Sequence, residues 1–181
     1  MKKRIMLLTG SPGIGKTTVL IKIVDSLKAK GYKVGGMISR EVRSRGSRVG
    51  FEILDIIGLR RGWLAHVDQP TGPRVGKYRV NIEDLNSIGA ETIVRAVGEA
   101  DVIVIDEIGP MELFSEKFKQ AVQMAVESGK PLLGVVHWKA KDKLIDDVKN
   151  RDDVEIYNVN LENRDKLHDV IAEKIAKLLM E

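Results

Sequence analysis

A three-layer α/β fold, with a mostly parallel central sheet and an added antiparallel hairpin, is the architecture this sequence predicts. Three observations predict it. The apolar run Ile5-Met6-Leu7-Leu8 leads through a glycine-rich segment, Gly10 to Gly15, directly into a helical pattern. Short continuous apolar runs, Val102-Ile103-Val104-Ile105 and Leu132-Leu133-Gly134-Val135-Val136, recur between helical segments. Such runs mark strands buried on both faces, as in parallel sheets covered by helices. Finally, two β-prone runs, Lys33 to Val42 and Arg48 to Ile57, flank the short segment Arg43-Ser44-Arg45-Gly46-Ser47, which reads as a hairpin turn.

Taken in order, residues 4–8 form the first strand. Residues 16–30 form a helix, because Val19, Leu20, Ile23, Val24 and Leu27 fall on one face and Gly31 offers a C-terminal stop. The hairpin follows. Residues 60–80 carry Gly62, Gly72, Gly76, Pro70 and Pro73 with little periodicity, so this connection is either functional or holds short strands. Asn81, with Asp84 three positions on, opens a helical stretch that continues through Ala90–Glu99. After the buried strand at 102–105, Ser115 caps a helix that ends near Gly129. Pro131–His137 is a second buried strand, 140–150 is helical, Val154–Val159 is a strand, and Leu161–Met180 is a terminal helix. Strands alternating with helices imply right-handed crossovers and a mostly parallel sheet.

The 181 residues fit one domain, 1–181. Apolar residues at 43% and charged residues at 31% are a globular balance. With no Cys, disulfides, thiol catalysis and cysteine-ligated metals are excluded, and His66, His137 and His168 are too scattered for a metal site. No stretch approaches the roughly 18 apolar residues of a membrane span, and the N-terminal apolar run is too short for a signal peptide. A cytoplasmic monomer without membrane association is expected. Abundant Lys, Arg and Glu with scarce Gln resembles thermophile usage.

Residues 10–17, Gly10-Ser11-Pro12-Gly13-Ile14-Gly15-Lys16-Thr17, complete the G-x-x-x-x-G-K-[ST] pattern. Its glycines let backbone N–H groups converge on phosphate oxygens, and the following helix N-terminus adds partial positive charge. Lys16 then reaches the β- and γ-phosphates, and the Thr17 hydroxyl is placed to ligate Mg²⁺. This is the signature of the P-loop NTPase fold. A second acidic signal, Asp106-Glu107, ends the buried strand, at the edge where parallel sheets bind ligands. Asp106 is the candidate Mg²⁺ ligand, and Glu107 the candidate base that polarises the attacking water. In phosphate-loop ATPases with a catalytic Glu, a strand between the two carries a polar γ-phosphate sensor at its tip. Leu132–Val136 fits that strand, with His137 as the sensor. Arg40 shares the parity of Val34, Ile38 and Val42, so it is either a buried, paired arginine or a charge stabiliser aimed at the phosphates.

Asp106-Glu107-Ile108-Gly109 also satisfies the D-x-x-G pattern of GTPases, but no [NT]-K-x-D base reader follows at His137–Asp142 or at Asn163–Lys166. A dedicated GTPase is therefore disfavoured, and ATP, GTP and other triphosphates are the expected substrates. The arginines of the hairpin (Arg40, Arg43, Arg45 and Arg48) leave a nucleic-acid surface as a minority reading, without the aromatic interleaving of single-strand binders.

The whole chain resembles the small nucleoside triphosphatases first described from thermophiles, whose human relative is called the cancer-related nucleoside triphosphatase. The resemblance is carried by Thr9 to Thr18, Gly35 to Arg43, Arg48-Val49-Gly50-Phe51-Glu52, Arg74-Val75-Gly76-Lys77-Tyr78, Ile105-Asp106-Glu107-Ile108-Gly109-Pro110-Met111-Glu112 and Asn163-Arg164. It implies slow hydrolysis of triphosphates with broad base tolerance. It also implies nucleotide contacts at Gly10, Ser11, Pro12, Gly13, Ile14, Gly15, Lys16, Thr17 and Thr18, and along Val102, Ile103, Val104, Ile105, Asp106, Glu107, Ile108 and Gly109. By the same resemblance the base lies at Asn163 and Arg164, with Arg164 able to stack on it. Two other readings fit the same motifs: a small-molecule or nucleotide kinase, in which Glu107 deprotonates an acceptor hydroxyl, and a nucleotide-gated switch or RNA-associated protein.

Overall fold

A computed structural model describes residues 1–181. Nine strands form one sheet in the order β5-β6-β4-β3-β2-β7-β8-β1-β9. They are β1 (Ile5–Thr9), β2 (Val34–Ser44), β3 (Ser47–Asp55), β4 (Arg61–His66), β5 (Arg74–Val75), β6 (Tyr78–Val80), β7 (Val102–Ile108), β8 (Leu132–Val136) and β9 (Val154–Asn158). The helices are α1 (Lys16–Ala29), α2 (Ile82–Asp84), α3 (Glu91–Glu99), α4 (Glu116–Glu127), α5 (Lys143–Lys149) and α6 (Leu167–Met180). A π-helical turn, Leu85–Ala90, links α2 to α3, and a 3₁₀ turn, Glu112–Phe114, precedes α4.

The three layers follow from strand alternation. Met6 and Leu8 of β1, with Val102 and Val104 of β7, point to one face, where they pack with Leu20 and Ile23 of α1 and Ile171 and Ile175 of α6. Ile5, Leu7, Ile103 and Ile105 point to the other, where Ile93, Phe118, Val122 and Ile145 cover them. Every one of those strand residues is 1% exposed or less, as continuous apolar runs require.

The sheet is more evenly mixed than expected. β1, β2, β7, β8 and β9 pair in parallel, but β3, β4, β6 and β5 extend the β2–β3 hairpin in an antiparallel arm. The Gly- and Pro-rich connection at 60–80 thus carries three short strands. The terminal helix starts at Leu167, not Leu161. Asn160 and Asn163 account for the delay, because their side-chain oxygens accept backbone N–H groups at 2.9 Å and hold a turn in place of a helix.

Candidate active site

The site stands at the C-terminal ends of β1, β7 and β8. Strand β8 lies between β1 and β7, with Leu8 and Asp106 both in register with Val135. That places the loop after β1 and the acids of β7 on the same edge, one strand apart.

The glycine segment is built as its pattern demands. Gly10 has φ 148°, and a β-carbon there would stand 2.7 Å from the Val159 carbonyl oxygen. Gly15 precedes α1 in the left-handed region at φ 112°, which an L side chain resists. No side chain caps the N-terminus of α1, so its first N–H groups are available to an anion. Lys16 Nζ donates to the carbonyls of Gly10 at 2.8 Å and Ser11 at 3.2 Å, which folds the ammonium back over its own loop.

Thr17 Oγ1 donates to Asp106 Oδ2 at 2.9 Å, joining residues 89 apart in sequence. Asp106 is 2% exposed. Burial pushes its carboxyl up to about 7. The Thr17 hydroxyl and the Lys16 ammonium oppose that rise, and the Glu107 charge adds to it. Burial likewise raises Glu107, with Lys16 opposing. The sequence pattern set these acids at the tip of the strand. They belong to β7 itself, which runs on to Ile108.

His137 follows β8, and its backbone N–H donates to the Ile108 carbonyl. Its Nδ1 accepts the Lys139 N–H at 3.2 Å, so the neutral ring carries its proton on Nε2. Burial and the positive charges of Lys16 and Lys139 lower its pKa, which keeps the ring neutral. His137 therefore shares the field of Lys16 with Asp106 and Glu107.

Other residues take different places. Val102, Ile103, Val104 and Ile105 are fully buried and Ile108 is 2% exposed, in the strand that carries the acids to the site. Arg40 is not a buried arginine. Its side chain is 49% exposed and pairs with Glu52 directly across the hairpin, and it does not join the cluster around Lys16. Arg164 lies over the phosphate loop, with Nη1 donating to the Ile14 carbonyl at 3.3 Å and Cδ facing Gly15. Asn163 is committed to the turn after β9, where Nδ2 donates to the Asn158 carbonyl at 2.8 Å. Sequence reasoning assigned no role to Glu112, a carboxyl only 2% exposed. The available signal was an acid set among Met111, Leu113 and Phe114.

A family model described as NTPase matches residues 5–172. The chain belongs to this NTPase family. The nucleoside-triphosphatase THEP1 of Thermofilum pendens is 48% identical over 180 residues, covering 99% of both chains. That of Methanocaldococcus jannaschii is 44% identical over 93% of this chain and 95% of its own. Two solved structures of NTPases superpose on it. The crystal structure of THEP1 from the hyperthermophile Aquifex aeolicus is 29% identical with TM-score 0.80, over 98% of this chain and 99% of that one. The solution structure of a human cancer-related nucleoside triphosphatase is 35% identical with TM-score 0.81, over 96% and 98%. The fold, mixed sheet included, is that of these NTPases. No helix is long and apolar enough to cross a membrane.

Proposed function

We propose that this chain hydrolyses nucleoside triphosphates to the diphosphate and phosphate, with Mg²⁺ as cofactor and Glu107 as the base. The observation that carries the reading is the Thr17–Asp106 contact at 2.9 Å with Glu107 next in sequence and Lys16 on the facing loop. Two oxygen donors, one of them a buried carboxylate without a cationic side chain paired to it, suit a hard divalent cation. Bound there, Mg²⁺ supplies positive charge to the β- and γ-phosphate oxygens.

The remaining work falls to the chain. The N–H groups of residues 13–17 and the Lys16 ammonium hold the triphosphate, Lys16 exchanging its loop carbonyls for phosphate oxygens. Glu107 accepts the proton of the attacking water as that water adds to the γ-phosphorus and the β–γ bridging oxygen leaves. Burial that raises the Glu107 pKa makes it a stronger base. His137, neutral with Nε2 protonated, offers a donor to the γ-phosphate. The contact of Arg164 with the Ile14 carbonyl over the loop supports a stacking role on the base, one indifferent to base identity. ATP and GTP are therefore both substrates.

Glu107→Gln tests the assignment. Gln is nearly isosteric but takes no proton, so turnover falls by about 10²–10⁴ while Mg²⁺–nucleotide binding persists. Retention of more than about a tenth of wild-type activity would refute the base role.

A further inference from the structure

Glu112 opens the 3₁₀ turn that follows β7, and it is 2% exposed. Its carboxyl forms no ion pair with any lysine, arginine or histidine, whereas the buried Asp55 and Asp153 carboxyls each have an arginine partner. The charged groups facing it are the carboxylates of Glu107 and Asp106, and burial together with those charges pushes its pKa well above 4.5. The segment between the two glutamates turns back on itself. The Glu107 side chain lies against Gly109, where a β-carbon would come within 2.8 Å of Oε1 and 3.1 Å of Cγ. The N–H groups of Gly109 and of Glu112 itself face the Glu112 carboxyl. Leu113 N–H donates to the Gly109 carbonyl at 3.1 Å, and Ser115 N–H to the Glu112 carbonyl at 3.1 Å.

A buried carboxyl without a cationic partner, set beside other acids, destabilises a fold, and an apolar side chain of similar volume commonly serves stability as well or better. Groups that weaken the fold in this way are characteristic of functional sites. We propose that Glu112 is a positioning residue: its buried carboxyl braces the 107–112 turn from behind and keeps the Glu107 carboxylate aimed at the attacking water. Glu112 touches neither nucleotide nor water. It acts through Gly109 and Glu107, so its loss leaves nucleotide binding intact and lowers the chemical step alone.

This rests on Glu107 being the base, and the experiment separates the two claims. Glu112→Leu, Glu112→Gln and Glu107→Gln are compared in the full chain by thermal unfolding, by affinity for a non-hydrolysable ATP analogue with Mg²⁺, and by kcat and KM for ATP. Glu112→Leu is expected to melt at or above the wild-type temperature and to bind the analogue with unchanged affinity. Its kcat falls by at least about tenfold, because displacement of a catalytic group by an ångström costs up to about 10²-fold. Glu112→Gln keeps a neutral hydrogen-bonding group of the same length and recovers kcat to within about threefold of wild type. The proposal is overturned if Glu112→Leu keeps wild-type kcat, if Glu112→Gln is as slow as the leucine variant, or if Glu112→Leu fails to fold, which would make the role structural. If Glu107→Gln is active, the base assignment has failed. If Glu107→Gln is inactive while Glu112→Leu turns over normally, only the role of Glu112 has failed.

Discussion

Asp106 makes the metal-free protein sensitive to pH in a direction opposite to ordinary acid denaturation. Its carboxyl has an ordinary value of 3.8 and is pushed up to about 7 in the folded chain by burial. Between those values the folded state holds a proton that the unfolded state has released. Stability is therefore fully present below pH 3.8 and is lost as pH rises through about 7. At 1.36 kcal/mol per unit, the full span corresponds to roughly 4 kcal/mol, and the part falling between about pH 5 and about pH 8 to roughly 3 kcal/mol. No discount for solvent screening applies, since Asp106 is 2% exposed. The perturbation is Asp106→Asn, and the assay is denaturant unfolding across that pH range in the presence of a chelator. The stability of the Asn variant relative to wild type should climb by roughly 3 kcal/mol from the acid to the alkaline end. Relief of the like charges on Glu107 and Glu112 acts in the same direction. Saturating Mg²⁺ and nucleotide should flatten the wild-type profile, because a bound cation compensates the carboxylate. A difference between the two proteins that stays constant with pH would refute the buried, uncompensated state of Asp106.

Lys16→Ala should nearly abolish hydrolysis and weaken nucleotide binding while leaving the fold intact, since its ammonium contacts only the carbonyls of Gly10 and Ser11; circular dichroism and nucleotide titration check both. ATP and GTP should be hydrolysed within about tenfold of each other, and turnover without a partner should stay below about one per second, as in phosphate-loop enzymes without an arginine at the γ-phosphate. Steady-state phosphate release on a panel of triphosphates tests this, and fast turnover restricted to one base would contradict it. Phe118→Ala, which empties a fully buried position on α4, should cost about 3–5 kcal/mol of unfolding free energy with little effect on KM.

The features legible in the sequence were those set by local chemistry. Ser115 caps α4, its Oγ accepting Phe118 N–H at 3.0 Å, and Asn81 accepts Asp84 N–H at 2.9 Å, as their spacing required. The phosphate loop and the parallel strands were equally plain, because an all-apolar run needs helices on both sides. What escaped depends on pairing across the chain. Strands β5 and β6, of two and three residues, exist only because β4 accepts β6 at its edge. Parity alone put Arg40 on an apolar face. The register that sets Glu52 opposite it is a property of two strands, and the resulting ion pair holds the guanidinium outside the core. Glu112 was hidden for a similar reason. Its burial follows from the turn at Gly109 and Pro110 and from the packing of that turn beneath Glu107, neither of which has a periodic signature.

The charge balance at the sheet edge links these points. Three buried or half-buried acids, Asp106, Glu107 and Glu112, gather there, each with its pKa raised by burial, and the charge of Lys16 acts on the first two. That lysine donates to the carbonyls of Gly10 and Ser11, while Arg40 pairs with Glu52 and Arg164 donates to the Ile14 carbonyl. With more acids than cations at this edge, the proposed function expects a triphosphate, itself strongly anionic, to bind together with a cation. The same shortage accounts for the slow turnover expected of the isolated chain. In the proposed reaction, charge developing on the γ-phosphate oxygens would be met by Lys16, backbone N–H groups and the His137 donor, without a guanidinium, the contribution that is worth about 10³–10⁵ in rate in related chemistry. Redirecting Arg164 from Ile14, or supplying an arginine from a partner, is where acceleration has room to act.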